Sequence, residues 1–214
     1  MRIEHLLPQQ FVITGTDTGV GKTVVAAMLA ACLGSSYWKP IQSGLNETTD
    51  TEMVRSLSAL PADALLPEAY RLTTPISPHA SAALDQVTID LARLSLPAVT
   101  GRLIIEGAGG LMVPINKGTL LIDLIREQWQ LPVLVVARSR VGTINHTLLS
   151  LAALKAYGIG VLGVVMNGPE DAVSRQAIEW YGKTRVLATL PTLRTLDATT
   201  LRQTFAQLFG GDGF

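Results

Sequence analysis

The sequence contains little cysteine and no excess of charge of either sign. Its single cysteine, Cys32, occurs in a chain of 214 residues, so no disulfide can form within the chain and a reducing compartment is expected. Lysine plus arginine and aspartate plus glutamate number 17 each, which leaves no broad basic field of the kind that nucleic acid or an anionic membrane requires. We therefore expect small-molecule partners, with no nucleic acid and no membrane among them.

Long apolar runs, a signal peptide, internal repeats and low-complexity tracts are also missing from the sequence. The longest apolar runs are too short to span a bilayer. Residues 1–10 lack the cationic start, apolar centre and small-residue cleavage site of a signal peptide, so a cytoplasmic location is expected. With 48% hydrophobic residues and no linker, residues 1–214 are predicted to form one domain with a sizeable core.

A glycine-rich loop stands between an apolar strand and an apolar helix, in the stretch 11–23, which reads FVITGTDTGVGKT. Gly19 and Gly21 allow backbone N–H groups to turn toward an anion at the start of the helix. Lys22 adds a positive charge, and Thr23 offers a hydroxyl to a phosphate-bound Mg²⁺. The flanking strand and helix favour a phosphate-binding loop over the alternative, a glycine-rich turn that binds no ligand.

A second candidate site follows a short strand predicted over residues 35–41. Because the strand ends near a proline and a glycine, we expect Lys39 and Ser43 to face the same crevice as the phosphate-binding loop. The alternative for Lys39, a solvated surface charge, stays open on this pattern. Asp50 is placed to cap a helix predicted over 51–60.

The third candidate site is the stretch 102–110, an apolar strand that is predicted to end at Glu106 before a cluster of glycines. A carboxylate at the tip of a strand beside a phosphate-binding loop can hold Mg²⁺, and the glycines let backbone amides approach phosphate oxygens. The alternative is a tight turn with a solvated glutamate. Since the chain already contains a phosphate-binding loop, we favour the metal role.

The remaining apolar segments alternate with predicted helices. Buried strands are expected over 131–137, 160–167 and 185–190. Helices are expected over 24–33, 120–128, 143–157, 170–181 and 197–209, the last followed by a glycine-rich tail. This order predicts an α/β fold, a mostly parallel β-sheet with helices on both faces like that of P-loop NTPases, with the ligand outside the carboxyl ends of the strands.

Two further helix starts carry candidate polar residues. Thr143 is predicted to cap its helix, whose free N–H groups offer a second anion site. Ser77 and Pro78 indicate a helix start with Ser77 as its cap. His79 would lie in the first turn, where a structural role is favoured over a catalytic one because a helix N-terminus disfavours a charged imidazole. Residues 61–78 are expected to form a long irregular connection.

Taken in order, these motifs resemble those of the dethiobiotin synthetase family of the P-loop class, over nearly the whole chain. The landmarks are 15–23, with Thr16 where a generic loop has glycine, 39–40, 43–44, 77–79, 106–110, 142–146 and Asn167. The resemblance implies an ATP- and Mg²⁺-dependent ligase of biotin biosynthesis. It would close a cyclic urea from 7,8-diaminononanoate and CO₂ through a carbamate and a carbamic–phosphoric anhydride, as a homodimer with the substrate site at the subunit interface.

The resemblance also implies roles for individual residues. Catalysis would fall to Thr18, Lys22 and Lys39. The residues expected to bind the nucleotide, with Asn167 reading the adenine edge, are Gly19, Val20, Gly21, Lys22, Thr23, Val24, Glu106, Gly107, Ala108, Gly109, Asn167, Gly168, Leu190, Pro191 and Thr192. Mg²⁺ would be held by Thr23, Asp50 and Glu106. For Asp50, this metal role is favoured over the helix-capping role. The substrate would contact Thr18 and Ser43, and its carboxylate would lie at a helix N-terminus that the neighbouring subunit contributes, at Gly142, Thr143, Ile144 and Asn145.

One departure from the family and three rival interpretations remain. Gly19 stands where some family members carry an acidic residue. Partition and cell-division ATPases carry a signature lysine in the loop, where Asp17 and Thr18 stand here, which counts against that class. A regulatory module would bind ATP without turnover that depends on the diamine, and an ATP-dependent amidating enzyme would need a glutaminase partner.

Overall fold

The structure is a computed structural model that describes residue 3 and residues 6–210. Residues 1, 2, 4 and 5 of the N-terminal stretch and residues 211–214 of the predicted glycine-rich tail lie outside the described residues. Within residues 6–210 the strands are β1 Gln10–Gly15, β2 Ser36–Trp38, β3 Ile41–Ser43, β4 Leu65–Leu66, β5 Tyr70–Leu72, β6 Leu103–Gly110, β7 Val133–Arg138, β8 Val161–Asn167 and β9 Val186–Leu190. The α-helices of the same range are α1 Lys22–Leu33, α2 Asp50–Ser58, α3 Pro78–Leu84, α4 Leu121–Leu124, α5 Thr143–Ala156, α6 Ala172–Gly182 and α7 Ala198–Phe209.

In the described part of the chain, seven strands form one parallel sheet in the order β4-β2-β6-β1-β7-β8-β9. The strands β3 and β5 pair in parallel as a separate small sheet. Because all strands of the large sheet run in the same direction, their carboxyl ends share one edge, where ligands of open α/β sheets bind. The parallel sheet confirms the expected P-loop NTPase-like α/β class.

Both faces of the large sheet are buried. In β6, Leu103 and Ile105 belong to one apolar cluster, whereas Ile104 belongs to the other, as the period-two alternation of a strand requires. Helices α1, α2 and α7 cover the Ile104 face, and α4, α5 and α6 cover the opposite face. Among the described helices, none combines the length and the apolar character that a membrane crossing requires.

The strand predicted over 35–41 is wrong in its extent. The chain leaves the large sheet after Trp38 and enters the small sheet only at Ile41. Pro40 lacks the N–H donor that would continue the ladder, so Lys39 lies in the break between the two strands. The stretch 61–78, expected to be an irregular connection, contains β4, β5 and a 3₁₀ turn at Ala62–Ala64.

Two other boundaries differ from the sequence-based prediction. The strand expected to end at Glu106 continues through the glycines to Gly110. Its register against β1 shifts directly after Glu106, since Ile13 pairs with Glu106 but Gly15 pairs with Gly110. Glu106 is therefore placed by a strand irregularity and not by a strand end. The helix expected over 120–128 is the single turn α4, followed by a π-helical turn at Ile125–Trp129.

Candidate active site

The phosphate-binding loop, residues 16–21, joins β1 to α1 at the carboxyl edge of the sheet. Gly21 precedes α1 with φ 95°, in the left-handed region that glycine adopts without steric cost. A Cβ atom there would lie 2.1 Å from Nδ2 of Asn167, which donates to the Val20 carbonyl at 2.9 Å. The first N–H groups of α1 lack a carbonyl one turn earlier within the helix, so they are oriented to bind an anion.

Beside this loop lies a charged cluster formed by Thr23, Lys39, Asp50 and Glu106. The Nζ of Lys39 lies 2.6 Å from Oδ2 of Asp50 and 3.1 Å from Oε1 of Glu106. It also donates to the carbonyl of Gly107 at 3.2 Å. The side chains of Lys39 and Glu106 are only 5% and 1% exposed, so this lysine is a buried ion-pair partner and not a solvated surface charge.

Burial and neighbouring charges act on the ionisation of the cluster in opposite directions. Burial disfavours the Lys39 ammonium, but Glu106 and Asp50 outweigh it, so the pKa of Lys39 lies above its ordinary value. Burial likewise opposes the Asp50 carboxylate, yet Lys39 and its hydrogen bond keep the pKa of Asp50 below the usual range. For Lys22, burial and then the charge of Lys39 lower the pKa. The site thus concentrates two cations near one another, where phosphate oxygens could be neutralised.

The oxygen atoms of the cluster fit a Mg²⁺ ion. The hydroxyl Oγ1 of Thr23 lies 2.9 Å from Oδ1 of Asp50 and 3.0 Å from Oε1 of Glu106. Two carboxylates and a hydroxyl that converge on one point form the hard oxygen donor set that Mg²⁺ prefers. Among the described residues, no three His, Cys, Asp or Glu side chains form a metal-binding group. Mg²⁺ usually keeps several waters and is held by one or two carboxylates together with substrate phosphates, and the cluster supplies two carboxylates.

Two residues that sequence reasoning missed hold the acidic residues of the cluster, one through the Glu106 carboxylate and one through the Asp50 backbone. The Tyr37 hydroxyl donates to Oε2 of Glu106 at 2.9 Å, and burial followed by the Glu106 charge raises the pKa of Tyr37 well above its usual value. The side chain of Gln42 accepts the backbone N–H of Asp50 at 3.1 Å. The available signal for Tyr37 was its place two residues before Lys39 in the strand predicted over 35–41, since residues two apart in a strand share a face.

A cavity of about 360 Å³ opens next to the phosphate-binding loop. Eight residues expected to bind the nucleotide line it, namely Gly19, Val20, Val24, Asn167, Gly168, Leu190, Pro191 and Thr192. Sequence reasoning missed Arg138, Ser139, Arg140, Leu193 and Leu196, which also line it. The position of Arg138 at the end of a buried strand was a usable signal, and its guanidinium donates to Asp17 and to the Thr18 carbonyl.

The remaining residues expected to bind the substrate differ in how the structure places them. The hydroxyl Oγ1 of Thr18 would lie 3.7 Å from a Cβ atom placed on Gly109, so the loop and the end of β6 are adjacent. The buried hydroxyl of Ser43 has no hydrogen-bond partner within the described residues. In the same range, Gly142 to Asn145 neither line the cavity nor hydrogen-bond to the charged cluster.

Two of the three expected helix caps are wrong, and the third, Ser77, is the N-cap residue that was predicted. The cap of α2 is Thr49, which forms a capping box with Glu52, whereas Asp50 is the first helical residue. The N-cap of α5 is a glycine with φ 94°, and the buried Thr143 is its first helical residue. Ser77 occupies the N-cap position of α3 but makes no capping hydrogen bond. His79 is exposed and lies outside the cluster and the cavity.

Comparison with known proteins gives one family model and many relatives. The model, described as an AAA domain, matches residues 9–200. A protein of Rhodopseudomonas palustris (strain TIE-1) named ATP-dependent dethiobiotin synthetase is 52% identical over 200 residues, covering 94% of each chain. A protein of the same name from Agrobacterium fabrum (strain C58) is also 52% identical over 200 residues, again 94% of each chain. The MinC:MinD cell division complex of Aquifex aeolicus contains a chain of similar fold, with a TM-score of 0.56, 14% identity and coverage of 97% of this chain and 98% of that one.

Proposed function

The chain belongs to the ATP-dependent dethiobiotin synthetase family, and from this premise we propose the course of the reaction that it catalyses as an ATP-dependent ligase of biotin biosynthesis. The observation that carries the proposal is the burial of Lys39 between Asp50 and Glu106, beside the phosphate-binding loop. A buried cation at this place can neutralise an anionic substrate group and the terminal phosphate together. The likeness to cell-division proteins concerns the fold alone, because the identity there is 14%.

The proposed reaction has three steps. One amine of 7,8-diaminononanoate attacks CO₂ and loses a proton, which gives a carbamate. A carbamate oxygen attacks the γ-phosphorus of ATP, and the bond to the ADP oxygen breaks, which gives a carbamic–phosphoric anhydride. The second amine then attacks the carbonyl carbon, the carbon–oxygen bond to phosphate breaks, and loss of a proton leaves the cyclic urea with inorganic phosphate.

The lysines are proposed to stabilise the negative charge that these steps move. Lys22, at the start of α1, would bind the β- and γ-phosphates, and Lys39 would neutralise the carbamate and the γ-phosphate. Phosphoryl transfer requires mainly positioning and charge neutralisation, because charge spreads over the transferred oxygens in the transition state. The hydroxyls of Thr18 and Ser43 would position the carbamate or the diamine by hydrogen bonds.

Thr23, Asp50 and Glu106 are proposed to hold the magnesium ion. Their oxygens already converge around Oγ1 of Thr23 within 3.0 Å. When bound, the ion neutralises part of the negative charge on the phosphate oxygens, in addition to the two lysines. Both acidic ligands would be held in position from outside the cluster. The Tyr37 hydroxyl donates to the Glu106 carboxylate, and the Gln42 side chain accepts from the Asp50 backbone.

The nucleotide base is proposed to occupy the cavity beside the loop, with Asn167 at its edge. Asn167 ends β8 and is fixed by its bond to the Val20 carbonyl, which leaves its side-chain oxygen available to a ligand. Leu190, Pro191 and Thr192 would pack near the base, and Gly107 to Gly109 would let the backbone of β6 approach the phosphates.

We further propose that the whole chain acts as one cytoplasmic domain and pairs with a second copy to complete the substrate site. The N-terminus of α5, residues 142–145, would bind the substrate carboxylate of the neighbouring subunit through its free N–H groups. Within the described residues these positions neither line the cavity nor hydrogen-bond to the cluster of their own chain, which fits a role in the partner. The dimer would be isologous, so that each subunit completes the site of the other.

The test is phosphate release from Mg-ATP with bicarbonate, measured with and without 7,8-diaminononanoate, with mass spectrometry of the product. Release that requires the diamine and yields a cyclic urea is expected. ATP hydrolysis that is indifferent to the diamine would contradict the proposal and favour an ATPase switch. Nucleotide binding without any hydrolysis would instead favour a regulatory module.

A further inference from the structure

The two carboxylate oxygens of Glu106 lie in different surroundings. Oε1 accepts from the Thr23 hydroxyl at 3.0 Å and from Nζ of Lys39 at 3.1 Å. Oε2 accepts from the Tyr37 hydroxyl at 2.9 Å. Within the described residues this is the one hydrogen bond that the Tyr37 hydroxyl makes. Glu106 is 1% exposed and Tyr37 is fully buried, so water does not compete for either group.

The position of Tyr37 in the sheet fixes its hydroxyl. Tyr37 is the central residue of β2 and pairs with Leu65 of β4 and Ile104 of β6. Its ring packs in the apolar cluster beneath α1. A tyrosine held by strands on both sides has little freedom to follow the carboxylate. The carboxylate of Glu106 must therefore orient to suit the tyrosine, with Oε1 turned toward Thr23.

From this asymmetry we propose that Tyr37 is a positioning residue that leaves only Oε1 of Glu106 available to a metal ion, and that it thereby favours Mg²⁺ over Ca²⁺. The inference rests on the metal role of Glu106 under the proposed function. Mg²⁺ is small, requires near-octahedral geometry and is usually held by only one or two carboxylates. Ca²⁺ takes six to eight oxygens in a flexible arrangement and readily uses both oxygens of one carboxylate. A glutamate restrained to one oxygen suits the first ion better than the second.

The variant that tests this is Tyr37→Phe, which removes the hydroxyl and keeps the ring. The matched control is Tyr70→Phe, because Tyr70 is 4% exposed and its hydroxyl bonds to the backbone of Asp90, not to the cluster. Both variants lose one buried hydroxyl, so a general loss of stability would affect both. Circular dichroism and melting temperature establish that each variant is folded.

The readout is the affinity for ADP, measured by titration calorimetry over a range of Mg²⁺ and, separately, Ca²⁺ concentrations. For Tyr37→Phe we expect the half-saturating Mg²⁺ concentration to rise about tenfold, as is usual when an outer partner of a metal ligand is lost. The half-saturating Ca²⁺ concentration should rise less, so that the preference for Mg²⁺ falls about threefold or more. In Tyr70→Phe both values should match those of the original chain.

Glu106→Gln separates a failure of this inference from a failure of the proposed metal site. If Glu106→Gln leaves the Mg²⁺ dependence unchanged, the metal role of Glu106 is wrong and the inference falls with it. If Glu106→Gln weakens Mg²⁺ binding but Tyr37→Phe leaves the Mg²⁺ to Ca²⁺ ratio unchanged, only the role of Tyr37 is wrong. The double variant combines Glu106→Gln with Tyr37→Phe and so removes the buried charge together with the hydroxyl that donates to it. Adding Tyr37→Phe to Glu106→Gln should not change the Mg²⁺ to Ca²⁺ ratio further, and a full further effect would overturn the inference.

Discussion

Replacement of Lys39 by alanine should damage both stability and turnover, and the two effects can be estimated separately. The ammonium lies within 3.2 Å of Asp50, Glu106 and the Gly107 carbonyl. Removal of one partner of a buried ion pair typically costs 3–5 kcal/mol. Thr23 and Tyr37 still donate to Glu106 after the replacement, and the Asp50 side chain is 28% exposed. We therefore expect the low end, about 3 kcal/mol, which corresponds to a fall in Tm of roughly 6–12 °C for a chain of this size.

The catalytic effect of Lys39→Ala should exceed what the loss of stability explains. A charge contact made in the transition state is worth on the order of a hundredfold or more in kcat, about 2.7 kcal/mol. The assay is diamine-dependent phosphate release at a temperature well below the lowered Tm, where the variant is folded. Lys155→Ala, which removes an exposed lysine from the last turn of α5, is the control and should keep normal turnover. Near-normal kcat in Lys39→Ala would refute the role assigned to the lysine, whatever happens to its Tm.

Two further predictions follow from the backbone and from a helix cap. Gly21→Ala should abolish ATP binding, because the new Cβ would lie 2.1 Å from Nδ2 of Asn167. Its control is Gly34→Ala, where the new Cβ meets open space at a positive φ, so that only Tm should fall. Equal ATP affinity in the two variants, measured by calorimetry, would contradict this prediction. Hydrogen bonds from the Thr200 N–H and hydroxyl hold the pKa of Asp197, the N-cap of α7, below its ordinary value of 3.8. Its stabilisation is present above that value and is lost as the pH falls through the lowered pKa. Asp197→Ala should thus have a lower Tm than the original chain at pH 7, and the gap should close as the pH falls through the lowered pKa of Asp197. A gap that keeps its full size in thermal melts well below that lowered pKa would show that the cap does not act through its charge.

The phosphate-binding loop could be predicted from the sequence because all of its determinants are local. An apolar strand, two glycines that permit positive φ and a helix that starts at Lys22 occupy one continuous stretch. The α/β class was predictable for a related reason, since continuous apolar strands alternating with helices have few other ways to bury both faces. Asn167 could be placed as well, because a residue at the carboxyl end of a buried parallel strand lies at the ligand edge.

The helix caps show where local reasoning became ambiguous. Thr49 and Asp50 are both good N-cap residues, and the sequence alone does not choose between them. The structure chooses Thr49, because the capping box with Glu52 satisfies two backbone donors while Asp50 pairs with Lys39 and Thr23. The competing partners of Asp50 come from α1 and from the segment after β2, which no local pattern contains.

The sequence by itself determined the phosphate-binding loop, the order of the long strands and helices and the separate candidates Lys39, Asp50 and Glu106. Only the tertiary structure decided that these three side chains meet. Lys39 and Glu106 are 67 residues apart in the chain, and they are joined because β2 pairs with β6 in the sheet. The same pairing brings the hydroxyl of Tyr37 onto Glu106. Local patterns specify backbone conformation, but strand neighbours and side-chain burial depend on contacts between distant segments, and those contacts set the charges and hydrogen bonds of the site.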